Sequence, residues 1–316
     1  VKWKLVPGGQ LVDGKTTFTG VKDGLVQAGL AIPQYVPNTV PAMFMLYSTI
    51  VLGHNDVVAA TGAALETVYF NCPECLEEVR KLNAVSLGGW TSSAYLLACT
   101  TPVKSLADLK GKRVRAAGGN ADMLKMAGAV PVGATLVEAV SLLQRGGLDC
   151  QHGIADWLRT FGYADFAKYV VDMPLGLSGP ALGFFMNRDA WNKLTPEQKK
   201  IHLEEAAKLS AQMAIGNFLV ANEEGLESVI KNKGVQMIKP DPDFEKVASE
   251  FQKVQRAKNI EIGKSFGLKD PGAIIDAYEK NIEKWRKISP QVGRDVNKFV
   301  DVLNREVFSK LDVNKL

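Results

Sequence analysis

Apolar and polar residues change rhythm along this chain, and each change marks an element. Val1-Lys2-Trp3-Lys4-Leu5-Val6 alternates and predicts a strand, stopped by Pro7-Gly8-Gly9. A short helix is expected over 15–23, closed by Gly24, then a small strand over 25–32. Pro33, Pro37 and Pro41 each fix φ and remove a donor, which predicts an irregular, stiff connection around Tyr35. Helical spacing returns over 55–68, with Val58, Leu65 and Val68 on one stripe, and again over 74–82. An apolar strand at 85–88 runs into Gly88-Gly89 and leaves Trp90, Thr91 and Ser92 at its carboxyl end; a second, 95–100, stops at Pro102.

The most regular passage follows. Ser105 caps a helical turn with Asp108 three residues on, and Lys110-Gly111-Lys112 turns the chain into a strand at 113–117. Gly118-Gly119-Asn120 opens a helix to about residue 128, Pro131-Val132 is a strand, 136–144 a helix and 147–151 a strand. This β–α–β–α–β series with short loops is the signature of an open α/β sheet. After a strand at 183–186, Thr195-Pro196-Glu197-Gln198 combines an N-cap, a first-turn proline and a capping glutamine. No strong breaker comes before Gly234, although Gly216 and Gly225 allow kinks. At 1.5 Å per residue, 196–233 makes a helix of roughly 57 Å, longer than a small domain is wide, so it bridges two. Amphipathic helices at 243–266, 271–287 and 293–309 complete the chain, which has no internal repeat.

Composition narrows the classes. The 316 residues suit two domains, and 46% hydrophobic with 23% charged residues is ordinary for a globular protein. No run approaches the ~20 apolar residues that span a bilayer. The net charge of +4 comes from scattered Lys and Arg, and nucleic-acid binding needs a clustered basic face. The chain opens on Val1 without a basic-then-apolar leader, and on a strand, which points to processing or trimming and to something upstream.

Candidate chemistry is sparse. Cys72-Pro73-Glu74-Cys75 is a CxxC, and Cys150 lies two residues before His152, but structural zinc wants two matched pairs. The CxxC follows a helical segment rather than a strand, so buried thiols or a structural disulfide are favoured over a redox site; Cys99 and Cys150 end apolar strands and read as core. The three histidines, His54, His152 and His202, fit no triad: His54 starts a helix and His202 sits on a solvated helix face. Gly118-Gly119-Asn120 lacks dinucleotide-binding spacing, yet its backbone N–H groups at a helix start favour a nearby anion. Arg115 lies on the strand just before, on the same face as Arg113 and opposite Val114. An arginine there either clamps a carboxylate or sulfonate bidentately or pairs with an acidic neighbour.

Three blocks then carry a resemblance: Pro102-Val103-Lys104-Ser105-Leu106-Ala107-Asp108-Leu109-Lys110-Gly111-Lys112-Arg113-Val114-Arg115; Gly128-Ala129-Val130-Pro131-Val132; and Glu138 with Leu143-Gln144-Arg145-Gly146-Gly147-Leu148-Asp149. They resemble the extracytoplasmic substrate-binding proteins of TRAP transporters, the DctP type. Pro7-Gly8-Gly9-Gln10-Leu11 and Val21-Lys22-Asp23-Gly24 upstream, and Asn187, Trp191, Leu194 and Thr195-Pro196-Glu197-Gln198 downstream, extend it to about Gly234.

The resemblance implies an α/β fold of the two-lobe periplasmic-binding-protein type: a clamp whose lobes are spanned by one long helix. Lobe I would take 1–92 plus 181–215, short of the family's first strand and helix; lobe II 93–180 plus 216–270; and the helices of 271–316 would pack on both. The family's carboxylate-binding arginine falls on Arg115. The rest of the pocket falls on Tyr35, on Trp90 and Thr91, on Gln151 and His152, on Asn120 at the helix start, and on a hinge strand carrying Phe185 and Asn187. Trp90, Tyr35 and Phe184 or Phe185 would supply apolar walls. For His152 a hinge hydrogen bond stands beside ligand contact, and Trp157 is assigned to packing. Tyr95 stands where some relatives have a second arginine. The implied function is a periplasmic receptor, monomeric and not itself membrane-spanning, that captures a small organic anion and delivers it to a TRAP permease without metal or cofactor. The alternatives are a receptor for a periplasmic signalling partner and an α/β enzyme on the same fold.

Overall fold

The computed structural model describes residues 1–51 and 55–312, so His54 lies outside the described residues. Among them are nine strands: β1 (Ala28–Ala31), β2 (Ala84–Trp90), β3 (Leu96–Cys99), β4 (Arg113–Arg115), β5 (Val130–Val132), β6 (Cys150–Gly153), β7 (Tyr169–Val171), β8 (Ala181–Asn187) and β9 (Gln236–Ile238). They form two sheets. One is antiparallel, in the order β1-β8-β2; the other has the order β5-β4-β6-β3-β7-β9. In the larger sheet β4 runs parallel to β5 and β6, and β7 to β9, while β3 lies antiparallel to both of its neighbours.

Alternation along the strands of the larger sheet sorts its two faces. Leu97, Cys99, Val114, Cys150 and Val171 pack on one side, and Ala98, Leu148, Tyr163 and Val170 on the other. The largest core forms around the smaller sheet. The expected long helix is continuous. Pro196–Ala211 passes into a π-helical stretch, Gln212–Ala221, and on through Asn222–Lys233 to Gly234, which caps it at φ 65°. A left-handed cap of this kind favours glycine. The helix starts on the Thr195–Gln198 capping box, buries Ala206, Ala207 and Ala211 against the smaller sheet's core, and buries Val229 in the larger sheet's core. It therefore ties the two halves together. Gly225 permits its close approach to the second half, since a Cβ there would lie 2.2 Å from Asp156 Oδ1.

Several expectations are corrected. Residues 1–6 form no strand. Alternation needs a ladder partner, and here Trp3 instead packs edge-on against Phe184, with ring centres 5.4 Å apart. The stretch read as a proline-punctuated loop contains the helix Pro41–Ser48. Its first-turn proline is favourable, and its nearly all-round burial removes the periodicity that signals a helix. Its open N–H groups are met by Glu78, whose carboxylate accepts from Ala42 and Met43 at 2.6 and 3.1 Å. The last strand of the α/β series begins at Cys150 rather than 147, and the C-terminal helix from Pro271 runs through Pro290 to Val292. No helix among the described residues is long and apolar enough to cross a membrane.

All four cysteines are paired. Cys72–Cys75 closes the first turn of the helix Pro73–Lys81, and Cys99–Cys150 joins β3 to β6 at directly opposed positions. Cys99 and Cys150 lie in the core, as their apolar strands lead one to expect, and form a cross-strand staple there.

Candidate functional site

Arg115 ends β4 on the face opposite Val114 and is 2% exposed. Its Nε donates to the Ala134 carbonyl at 3.0 Å, Nη1 to the His152 carbonyl at 3.3 Å, and Nη2 to the Tyr35 hydroxyl at 2.7 Å. The Trp157 ring covers the guanidinium, with its centre 5.8 Å from Cζ. Among the described residues no carboxylate pairs with this buried cation. Arg113, on the same strand face, sits instead at the exposed strand start and forms the bidentate pair with Asp149, at 3.0 and 2.9 Å. The ion-pair alternative therefore belongs to Arg113.

Elements from both halves converge here. Tyr35, in the 3-10 turn Pro33–Tyr35 after β1, reaches Arg115 from the smaller sheet. Its ring packs so closely on Gly14 that a Cβ there would lie 2.9 Å from it. From the larger sheet comes the turn at Ala134, fixed by the Thr135–Glu138 capping box. At the rim Lys15 pairs with Glu138 at 2.8 Å, joining the same two segments.

Around the guanidinium stands a shell of phenols. Burial raises the hydroxyl pKa of Tyr47, Tyr95 and Tyr163, so all three stay neutral. Tyr163 donates to the Leu136 carbonyl, and the Tyr47 and Tyr95 hydroxyls lie against one another. Tyr95 also packs on His152 and Trp157, with ring centres 5.1 and 5.5 Å away.

Among the described residues, both amide atoms of Gln151 and both ring nitrogens of His152 are buried without a hydrogen-bond partner; away from Arg115, so are Oδ1 of Asn120 and the hydroxyls of Ser48 and Ser93. Gln151 is the register partner of Arg115 across β4 and β6. Orphaned buried polar groups are uncommon and cluster where something else must satisfy them.

His152 is held neutral. Burial, and then the nearby charge of Arg115, lower its pKa to about 3. The unfolded chain takes up a proton near pH 6.5 and the folded chain does not, so stability is lost as pH falls through this window. Glu78 acts in the opposite sense: burial pushes its carboxyl up to about 7, so its contribution grows as pH falls toward 4.5. Comparison with His152→Gln isolates the histidine. Between pH 7 and pH 5, wild type is expected to lose about 2 kcal/mol more than the variant in urea unfolding; equal losses would show that His152 is not buried neutral.

The structure brings Arg115, Tyr35, Gln151 and His152 together. It places the other expected residues elsewhere. Trp90 turns toward the long helix, 6.5 Å from Phe218 between ring centres and over Gly183. Thr91 is spent on Thr61, 3.1 Å away. Phe185 is fully buried, edge-on to Phe18 at 5.0 Å, because strand alternation turns it into the smaller sheet's core. Phe184, on the opposite face, packs on Trp3 and His202. Asn187 caps the helix Arg188–Asn192 and donates to the Val21 carbonyl at 2.9 Å. Asn120 donates to Ser178 at 2.7 Å, in a network with Ser92. The helix start at Gly118 is covered by Ser48: a Cβ on Gly119 would lie 2.1 Å from the Ser48 carbonyl oxygen. Of the aromatic residues near Arg115, Trp157 is assigned to packing by the sequence and Tyr95 set at the place of a second arginine, while Tyr47 and Tyr163 are not singled out; none of the four lies in a strand, so strand alternation gives no signal for them.

A family model, DctP, for bacterial extracellular solute-binding proteins of family 7, matches residues 1–263. The chain is 23% identical over 310 residues to a monocarboxylate 2-oxoacid-binding periplasmic protein of Nostoc sp., covering 92% of this chain and 76% of that one. Among solved structures it resembles a TRAP periplasmic solute-binding protein of Bordetella bronchiseptica with bound (R)- and (S)-mandelate. The TM-score is 0.73 at 20% identity, over 87% of this chain and 85% of that one. It likewise resembles a TRAP solute-binding protein of Rhodoferax ferrireducens in complex with copurified benzoate, with TM-score 0.73 at 18% identity over 89% and 86%.

Proposed function

This chain belongs to the bacterial extracellular solute-binding proteins of family 7, and on that premise we propose that it is a periplasmic receptor for a small organic acid, which it presents to a TRAP permease. One observation carries the assignment to this site: a buried arginine with no carboxylate partner among the described residues. Removing a cation from water costs several kcal/mol, and that cost is recovered only when a counter-charge is supplied. The ligand's carboxylate is that counter-charge. Arginine carries five N–H donors, three of which hold the guanidinium to Ala134, His152 and Tyr35. The other two are left for the acid.

Tyr35 and Lys15 approach from one half, and Arg115, Ala134 and Glu138 from the other. A ligand seated between them gains its full set of contacts only when the halves are closed, so binding shifts the population toward the closed clamp. The permease would then read closure as the sign of a loaded receptor, with a single chain as the working unit. Two disulfides suit an oxidising compartment, and relatives that hold mandelate, benzoate or 2-oxoacids support an acid as the cargo.

A thermal-shift screen of the purified chain against monocarboxylates, 2-oxo acids, aromatic acids, sugar acids, dicarboxylates and sulfonates tests the reading. An acid at 100 times its Kd stabilises the fold by about 2.7 kcal/mol, a shift of several degrees at this size. At least one acid is expected to give such a shift and to be recovered unchanged. No shift with any acid overturns the reading, and turnover of the bound acid would make the chain an enzyme.

A further inference from the structure

Resting on the reading of Arg115 as an anion clamp, we infer that the site selects acids bearing a single negative charge and rejects dicarboxylates of the same skeleton. The preferred acid has a flat or apolar body and an uncharged hydroxyl, oxo or amide group beside its carboxylate.

The inference comes from a charge count around the clamp. Among the described residues Arg115 is the one cation held within it. His152, the other described basic side chain there, is neutral because burial opposes its protonation. Arg113 is consumed by Asp149 on the outside of the strand, and Lys15 is consumed by Glu138 at the rim. A monocarboxylate cancels the charge of Arg115 and leaves the closed site neutral. A dicarboxylate brings a second negative charge into the same enclosure with no cation to meet it. An unpaired buried charge is among the most costly things a closed site can hold.

The phenols do not replace the missing cation. Tyr163 already donates its proton to the Leu136 carbonyl, and the Tyr47 and Tyr95 hydroxyls face each other. What these residues offer is ring surface, which Trp157 extends across the guanidinium. An apolar or aromatic body fits that surface. The orphaned polar groups define the rest. Gln151 lies beside Arg115 in the register of β4 and β6, on the same face, and among the described residues neither atom of its buried amide is bonded. The amide presents both a donor and an acceptor without charge, which matches a neutral hydroxyl, oxo or amide group and not a second carboxylate.

Calorimetric titration of the wild-type chain at pH 7.5 with matched acids tests this. The pairs are 2-oxopentanoate with 2-oxoglutarate, benzoate with phthalate, and butyrate with succinate. Monomethyl succinate controls for size without the second charge. In every pair that binds, the monoacid is expected to bind at least tenfold more tightly than the diacid, and monomethyl succinate is expected to bind more tightly than succinate. A diacid that binds within tenfold of its partner, or more tightly, overturns the inference. If such a diacid loses binding in Arg115→Gln, the anion-clamp reading survives and only the charge selectivity fails. If no acid of any pair binds, the clamp reading falls and this inference falls with it.

Discussion

Arg115→Gln is expected to weaken binding of the captured acid by about 2–5 kcal/mol, on the order of 30- to 4,000-fold, while the unliganded chain stays folded. Truncating one partner of a buried, hydrogen-bonded charge pair carries a cost of this size. The ligand-free effect is smaller because two contributions oppose. The variant loses hydrogen bonds to Ala134, His152 and Tyr35, each worth about 0.5–1.5 kcal/mol net. It also removes a desolvated cation that has no counter-charge, which offsets much of that loss. Titration calorimetry gives the first quantity and urea unfolding without ligand the second. Tyr35→Phe removes one hydroxyl from the same guanidinium and should cost tenfold or less. An Arg115→Gln chain that binds the acid as wild type does would move the site elsewhere.

Removing the Cys99–Cys150 bridge is expected to be the most damaging change to the fold itself. The paired residues are 51 apart in sequence, and restoring the freedom of a loop that long to the unfolded chain costs about 4 kcal/mol in the chain-entropy picture. Measured losses for such bridges run from about 2 to 4 kcal/mol. Cys72–Cys75 spans only three residues, and the same relation gives it less than about 2 kcal/mol. The Cys99→Ala/Cys150→Ala chain should therefore unfold at clearly lower urea than the Cys72→Ala/Cys75→Ala chain. The bridge also fixes β6 one residue before Gln151 and two before His152, so its loss should loosen the site as well as the fold. A smaller loss for the 99–150 pair than for the 72–75 pair would contradict the assignment.

Much of the frame could be read from local pattern. The long helix announced itself through a capping box at one end and Gly234 at the other. The series from Ser105 to Gln151 showed its strands and helices through caps and turns. Where pattern failed, the cause is physical. The helix Pro41–Ser48 is buried nearly all round and so has no polar face to set a period. β7 and β9 hold three residues each and carry too few alternations to register. Four cysteines allow three pairings, and spacing does not choose among them; the pairing follows from Cys99 facing Cys150 across two strands.

The site was legible only at its anchor. Arg115 stood out by its chemistry and by family resemblance. Tyr95 and Trp157 reach it from a strand entrance and a short helix whose neighbours are set by register. The residues expected on the hinge strand point away from Arg115 because of strand alternation. Phe185 and Asn187 share a face, and that face is already filled by Phe18 and Val21.

The central claim is that Arg115 holds the carboxylate of the captured acid between the two halves. A crystal structure of the chain with the acid that stabilises it most tests this directly. The acid's carboxylate oxygens should lie about 2.7–3.2 Å from the Arg115 guanidinium nitrogens, with Tyr35 and Trp157 against the ligand. The claim is contradicted if the acid occupies another place, such as the cavity of about 720 Å³ between Trp3, Phe184, Ile201 and Val300, while Arg115 keeps only its bonds to Ala134, His152 and Tyr35.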